Sequence, residues 1–304
     1  MKPRALRPGD AIRIVSPASP VAEEKLAPGL EILEKAGFCV TLAPHALDSN
    51  DYLAGDDAAR AGDLSEAFSD PKVSCVLCAR GGYGSARLLP MLDLDSMAAS
   101  GKMFVGFSDV TSLHLALGRR GLVTFHAPML LSFVTPREDW VRQSFVSLLQ
   151  GSAQAPPGAP SGECLVPGVA EGDVIGGCLC LLTDSLGTPE ALDATGRILL
   201  IEDVDENPHR VDAMLTHLLA SGVLQSAAGI VVGEMTNTDS MRDSTIGSRP
   251  WREIVQERLA PLGLPAVVGF PFGHAKGMLS LPLGIRARLD AVAGTLTYLE
   301  SPCA

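Results

Sequence analysis

The sequence is short of positive charge, of long apolar runs and of tryptophan. Among its 304 residues, 24 Lys and Arg stand against 35 Asp and Glu, for a formal net charge of -11. A sequence-independent nucleic-acid binder needs a basic face, so no nucleic-acid partner is expected. A small charged substrate is not excluded, because local charges can outweigh the global sign. No apolar run approaches the roughly 20 residues of a membrane-spanning helix, so no membrane partner is expected either. The basic start, Met1 to Asp10, has no signal-type apolar region behind it, since Ala11 to Val15 is too short. Seven cysteines, an odd number scattered through apolar segments, suit free buried thiols in a reducing compartment. The expected location is the cytoplasm.

Metal-ligand spacing is also lacking. Cys75-Val-Leu-Cys78 matches C-x-x-C, but its surroundings read as a buried strand. Residues three apart on a strand face opposite sides, so those sulfurs would not converge. Cys178 and Cys180 would share one face of a strand, yet no second Cys/His pair at zinc spacing accompanies them. All seven cysteines are therefore read as structural, with no metal and no cofactor.

What is present is the composition of a globular protein, 46% hydrophobic and 19% charged, in a chain long enough for two domains. The first half alternates short apolar runs (Ala11 to Val15, Cys39 to Leu42, Val73 to Ala79, Met103 to Phe107, Leu122 to His126) with helical patterns, among them Asp56 to Phe68 and the stretch between Pro136 and Leu149. That alternation predicts an α/β domain built on a mostly parallel sheet. The Gly/Pro-rich segment from Gly151 to Gly162 breaks the pattern and reads as a linker. The expected division is an N-terminal domain over 1–150, a linker over 151–168 and a C-terminal α/β domain over 169–304. The second domain is less regular. Strands are expected at Arg197 to Ile201, Gly229 to Gly233 and Ala266 to Gly269, with helices at Pro208 to Leu219 and Trp251 to Leu259. A polar surface loop spans Met235 to Pro250, and Ile285 to Leu289 with Thr295 to Leu299 form a closing antiparallel pair.

Gly106-Phe-Ser-Asp109 lies where an apolar strand gives way to a helix. A serine at such a turn projects its hydroxyl from the end of a sheet, beside helix N–H groups able to hold an oxyanion. Ser108 or Asp109 would serve equally as a helix cap, the commoner role for these residue types. A nucleophilic serine needs a base. His114 and His217 fall within amphipathic helices, with His114 pointing away from the turn, and His45 and His209 fall in polar turns. His126, at a strand end, and His274, in the loop Gly269 to Gly277 after a strand, remain, with the spacing favouring His274. An orienting carboxylate is offered by Glu202 at the end of Arg197 to Ile201, and equally by Asp203, Asp205 and Glu206. Finally, Arg80-Gly-Gly-Tyr-Gly84 follows a strand, where glycines serve either to present N–H donors to a ligand or only to supply the backbone angles of a tight turn, and it is read as an oxyanion and substrate loop. Its spacing is not the G-x-G-x-x-G of dinucleotide sites, which disfavours a hydride-transfer enzyme.

Taken together, these segments resemble the LD-carboxypeptidase family of serine peptidases, the muramoyltetrapeptide carboxypeptidases. The resemblance runs through Pro8-Gly-Asp10, Ser16-Pro17, Arg80 to Gly84, Gly106 to Asp109, Gly176-Gly177, Leu186-Gly-Thr188, Ile201 to Glu206 and Gly273-His274. It implies a Ser108–Glu202–His274 triad, oxyanion donors on the backbone of the Gly81-Gly82 turn and of Asp109, and no metal. It also implies a Rossmann-like N-terminal domain, distantly like class I glutamine amidotransferases, joined to a smaller C-terminal α/β domain with mixed strands. The implied activity is release of terminal D-alanine from small murein tetrapeptides by a cytoplasmic homodimer. Arg80, beside the glycines, is the first candidate partner for the D-alanine carboxylate. Cys178 departs from the family, whose members often carry asparagine after the paired glycines. A self-immunity peptidase acting on peptidyl or aminoacyl nucleotides is the nearest alternative. It would need an aromatic platform, and the two tryptophans, Trp140 and Trp251, lie outside the motifs assigned to the site. A non-catalytic muropeptide-binding protein would have no need of all three triad residues.

Overall fold

The computed structural model describes residues 1–243, 245, 247 and 249–304. Its strands in chain order are β1 (Ala11–Val15), β2 (Cys39–Leu42), β3 (Val73–Cys78), β4 (Met103–Gly106), β5 (Thr124–His126), β6 (Glu163–Val166), β7 (Val169–Cys178), β8 (Ile198–Val204), β9 (Gly229–Thr236), β10 (Ala266–Val268), β11 (Leu281–Leu283), β12 (Arg286–Asp290) and β13 (Thr295–Tyr298). The chain has a two-domain α/β fold with mixed sheets. One unit comprises Met1–Pro157, Leu279–Gly284 and Ser301–Ala304, and the other Gly158–Met278 and Ile285–Glu300.

The first unit's sheet runs β11-β5-β4-β3-β1-β2. The pairs among β1 to β5 are parallel, and β11 adds antiparallel to β5 at the edge. β4 is buried at every position and β3 at all but one. These strands therefore read as unbroken apolar runs rather than as alternating ones, as strands covered on both faces do. The order 2-1-3-4-5 places a topological switch between β1 and β3, and ligands bind outside the carboxyl ends of the strands at such a point. The loops after β1, β3 and β4 carry Ser16 to Pro20, Arg80 to Gly84 and Phe107 to Asp109.

The second unit's sheet runs β13-β12-β7-β8-β9-β10-β6. Its centre, β7 to β10, is parallel, flanked by the antiparallel hairpin β12–β13 on one side and by antiparallel β6 on the other. The expected closing pair is that hairpin, with Gly294 at φ 65 in its turn.

Several boundaries differ from those read in the sequence. Leu281–Leu283 belongs to the first unit's sheet, because it pairs with His126, Phe125 and Thr124. The C-terminal residues return there too, with the Ala304 N–H donating to the Pro3 carbonyl at 2.9 Å. Glu163–Val166, expected as linker, is the edge strand β6. Among the described residues it pairs with β10 alone and stays partly exposed, so it carries no apolar signal. The expected loop Met235 to Pro250 begins inside β9 and includes a 3-10 turn over Thr238–Met241. Its positions 244, 246 and 248 lie outside the described residues. Cys39 and Cys164 are exposed rather than buried. Among the described residues, no helix is long and apolar enough to cross a membrane.

Candidate active site

In the first unit, β4 ends at Gly106 and Ser108 opens a 3-10 turn, Ser108–Val110, that leads into the helix Thr111–Arg119. Ser108 adopts φ 67. That left-handed conformation is uncommon for a residue with a Cβ, and such strain concentrates at functional sites. Ser108 is half-buried, whereas Phe107 and Asp109 on either side are buried. The cap positions of this turn and of the helix after it fall on Phe107 and Val110, neither of which makes a side-chain cap hydrogen bond.

The glycine turn lies against this residue. A Cβ on Gly81 would come within 2.8 Å of Ser108 Cβ, 3.0 Å of its Oγ and 3.3 Å of the Asp109 nitrogen. Glycine is required there to leave room beside the hydroxyl. The Asp109 carboxylate accepts the N–H groups of Gly84 (3.2 Å) and Ser85 (2.8 Å), and the Asp109 carbonyl accepts the Ser85 hydroxyl at 2.7 Å. Burial pushes its carboxyl upward in pKa, and those N–H donors offset part of the rise. Asp109 thus clamps the Gly-rich turn to the serine turn through its side chain, leaving its own N–H at the serine.

The loop after β1 completes the group. The Ser19 N–H donates to the Gly81 carbonyl at 3.2 Å, and the Ser19 hydroxyl accepts the Tyr83 N–H at 3.1 Å. A Cβ on Gly82, which adopts φ 110, would overlap the Ser19 hydroxyl. In the sequence only Ser16-Pro17 of this loop stands out, as part of the family resemblance. For the rest, the available signal was its position directly after the first strand of a parallel sheet. Arg80 is half-buried, and its Nη1 donates to the Pro20 carbonyl at 3.0 Å.

Two of this unit's histidines, His114 and His126, do different work from an exposed base. His114 is buried, with Nε2 2.9 Å from the Gly106 carbonyl and Nδ1 2.9 Å from the Thr124 hydroxyl. It turns back onto the strand preceding Ser108 instead of away from it. Burial lowers its pKa to about 3, which keeps the ring neutral. His126 sits opposite Gly106 in the sheet, fully buried against Phe107.

In the second unit, Glu202 lies near the end of β8, fully buried. Its Oε2 is 2.7 Å from Nδ1 of His274 and accepts the His274 backbone N–H at 3.2 Å. Gly273 adopts φ 86, and a Cβ there would collide with the Glu202 carboxylate, so the Gly-His dipeptide lets the loop close onto the acid. Burial acts to lower the His274 pKa, but the charge and hydrogen bond of Glu202 outweigh it and the imidazole titrates above its ordinary 6.5. The carboxylate at Nδ1 fixes the tautomer of the ring, with its proton on that nitrogen.

The run Glu202-Asp203-Val204-Asp205-Glu206 therefore separates by burial. Glu202 meets the imidazole, and Asp205 is exposed. Asp203 is buried rather than solvated, and burial with the neighbouring Glu202 charge pushes its carboxyl up to about 6. Asp203 faces Cys178 and Cys180, and these are the described His, Cys, Asp or Glu side chains whose donor atoms converge as a metal-binding group. Cys178 closes β7 opposite Glu202, while Cys180 is already in the helix Leu179–Asp184, so the two do not alternate along one strand.

Comparison with known proteins gives a consistent picture. Residues 12–127 match the family model for the LD-carboxypeptidase N-terminal domain, and residues 171–289 match that for the LD-carboxypeptidase C-terminal domain. A Bacillus subtilis protein named "Probable murein peptide carboxypeptidase" is 38% identical, over 97% of this chain and 93% of its own. The solved muramoyltetrapeptide carboxypeptidase from Oxalobacter formigenes is similar with a TM-score of 0.81 and 31% identity, over 94% of this chain and 97% of that one. The microcin C7 self-immunity protein MccF, solved in complex with aspartyl sulfamoyl adenosine, is similar with a TM-score of 0.88 and 26% identity, over 100% of both chains.

Proposed function

This chain belongs to the LD-carboxypeptidase family, and from that premise we propose that it is a serine carboxypeptidase releasing terminal D-alanine from murein tetrapeptides. The observation that carries the reading is Ser108, held at φ 67 between strand and helix with glycine beside its hydroxyl. A cap or a packing residue has no use for that strain, whereas a nucleophile does.

In this reading the Ser108 Oγ attacks the carbonyl carbon of the residue preceding D-alanine as Nε2 of His274 takes the hydroxyl proton. The developing oxyanion is held by the N–H of Asp109 and by the backbone of the Gly81-Gly82 turn. Collapse of the tetrahedral intermediate breaks the C–N bond, and His274 hands its proton to the departing amine. A water molecule, deprotonated by the same imidazole, then hydrolyses the acyl-Ser108 ester. Glu202 fixes the ring's tautomer and stabilises the imidazolium formed at each step. Turnover requires the Ser108 hydroxyl and Nε2 of His274 to come within hydrogen-bond reach. Arg80 is the proposed partner of the D-alanine carboxylate. The protein would act in the cytoplasm, as a homodimer, on small peptides of cell-wall recycling.

One observation favours a second reading, a self-immunity peptidase acting on aminoacyl nucleotides. Trp251 lines a cavity of about 340 Å³ together with Ala275, the residue after the proposed base, and with Asn237 and Asp239. Against a stacking platform, Trp251 is buried and its ring is covered by the Arg252 guanidinium at 4.9 Å.

Incubation with UDP-MurNAc-tetrapeptide, followed by mass spectrometry for free D-alanine, tests the proposal. The expected result is D-alanine release by the wild-type chain and none by Ser108→Ala. Preferential hydrolysis of an aminoacyl sulfamoyl adenosine would favour the second reading. Binding of the muropeptide without any hydrolysis would make the protein a muropeptide-binding protein and reject both.

A further inference from the structure

The sulfur atoms of Cys178 and Cys180 lie 3.5 Å apart, and neither belongs to a disulfide. Oδ1 of Asp203 is 3.3 Å from the Cys178 sulfur and 3.9 Å from that of Cys180. These distances can be set against the requirements of a cation. Zinc takes thiolate at about 2.3 Å and carboxylate oxygen at about 2.1 Å, so a tetrahedral site separates two sulfurs by about 3.8 Å and sulfur from oxygen by about 3.6 Å. Each edge of the observed triangle is within about 0.3 Å of that figure. One face of a zinc tetrahedron is thus already drawn by the protein.

The surroundings hold the triangle in place. Asp203 is fixed by two backbone donors, the Val204 N–H on Oδ1 and the Cys180 N–H on Oδ2, both at 2.8 Å. Those bonds orient the carboxylate from outside, as conserved outer partners do in metal sites. Cys178 is set by its place at the end of β7, in register with Glu202 on β8. Cys180 follows in the first turn of the helix Leu179–Asp184 and is only half-buried, which gives a cation a path in.

We infer that Cys178, Cys180 and Asp203 form a binding site for a thiophilic divalent cation of the zinc class, with a water in the fourth position. Two sulfurs and one carboxylate suit zinc or cadmium, and exclude magnesium and calcium, which take all-oxygen sets. On binding, two S–H bonds give way to two metal–sulfur bonds and two protons are released. The carboxylate binds as it stands, and nothing is oxidised or reduced. The site is distinct from the Ser108, Glu202 and His274 chemistry, and the inference stands or falls without it.

The test uses the full chain with the exposed Cys39 and Cys164 replaced by serine, kept reduced by a phosphine. Cobalt(II) added as a spectroscopic stand-in should give sulfur-to-cobalt charge-transfer absorption saturating at one ion per chain. Zinc should displace it, and unbuffered titration should show the matching proton release. Cys180→Ser, a near-isosteric change at a half-buried position, should weaken binding by more than about tenfold, since even outer partners of a metal site are worth that much. The chain carrying the Cys39 and Cys164 replacements alone, loaded with cadmium, provides a measurement that no site variant can compromise by misfolding. Its cadmium NMR shift should report two sulfur ligands. Absorption that survives Cys178→Ser/Cys180→Ser, absence of any charge-transfer band, or a cadmium shift typical of oxygen and nitrogen ligands alone would each overturn the assignment.

Discussion

A single oxygen of Glu202, Oε2, lies 2.7 Å from the His274 ring nitrogen Nδ1 and also accepts the N–H of the same residue's backbone at 3.2 Å. Ring and main chain are thus anchored to one buried carboxylate, and the imidazole has little freedom to rotate away. The base must be neutral to accept a proton, and its pKa lies above the ordinary 6.5. Activity, read as kcat/KM, should therefore fall as pH is lowered through a value above 6.5. Glu202→Gln removes the charge that raises the pKa and leaves the burial that lowers it. The acid limb should move to lower pH and kcat should drop on the order of 10⁴-fold. An acid limb that stays in place in Glu202→Gln would reject Glu202 as the partner of the base.

Ser108 offers a test in which stability and activity move apart. At φ 67, alanine is strained and glycine is not. Ser108→Gly should be more stable than Ser108→Ala by about 1 kcal/mol, measured by urea denaturation. Both variants should lose D-alanine release by roughly 10⁴-fold or more. Near wild-type release by either would end the case for a serine nucleophile.

Gly81→Ala places a methyl 3.0 Å from the Ser108 hydroxyl oxygen and 2.8 Å from its Cβ. Overpacking of this kind costs about 1–3 kcal/mol, and here it falls on the proposed nucleophile. The expected outcome is a folded protein, by circular dichroism, whose kcat is reduced at least about 100-fold. An unaffected kcat would show that the glycine turn does not border the reacting atoms.

His114 should make the protein acid-sensitive. Its pKa is lowered by burial to about 3 in the fold against 6.5 ordinarily. A group depressed in this way contributes stability that is present above the unfolded pKa and is lost as pH falls below it, because the unfolded chain takes up the proton first. Between pH 6.5 and about pH 5 the loss should be roughly 2 kcal/mol. His114→Gln is expected to lower stability at pH 7.5 and to flatten this pH dependence. Equal acid sensitivity in the variant and the wild type would refute the assignment.

Local chemistry made the elements legible. Strands β1 and β2 and the helix Trp251–Leu259 have the bounds read from periodicity, because apolar spacing and Gly or Pro stops act within a few residues. Edge elements were not legible. Glu163–Val166 is half-exposed and carries no apolar alternation, and Leu281–Leu283 is defined as a strand only by its pairing with β5, more than 150 positions earlier. Among the acids from Glu202 to Glu206, composition could not choose. The family resemblance pointed to Glu202, which is buried and in contact with the His274 ring.

The sequence by itself determined the two α/β halves, the strand-to-helix turn at Ser108 and the glycine turn at Arg80 to Gly84, since each depends on residues adjacent in the chain. Only the tertiary structure decided that Ser108 is strained, that Gly81 makes room for it, that Glu202 holds His274 by both ring and backbone, and that Cys178 and Cys180 gather at Asp203. Apart from the Ser108 dihedral, these relations are distances between groups far apart in sequence. Such distances are fixed by the register of parallel strands and by the close packing around them, which no local preference encodes.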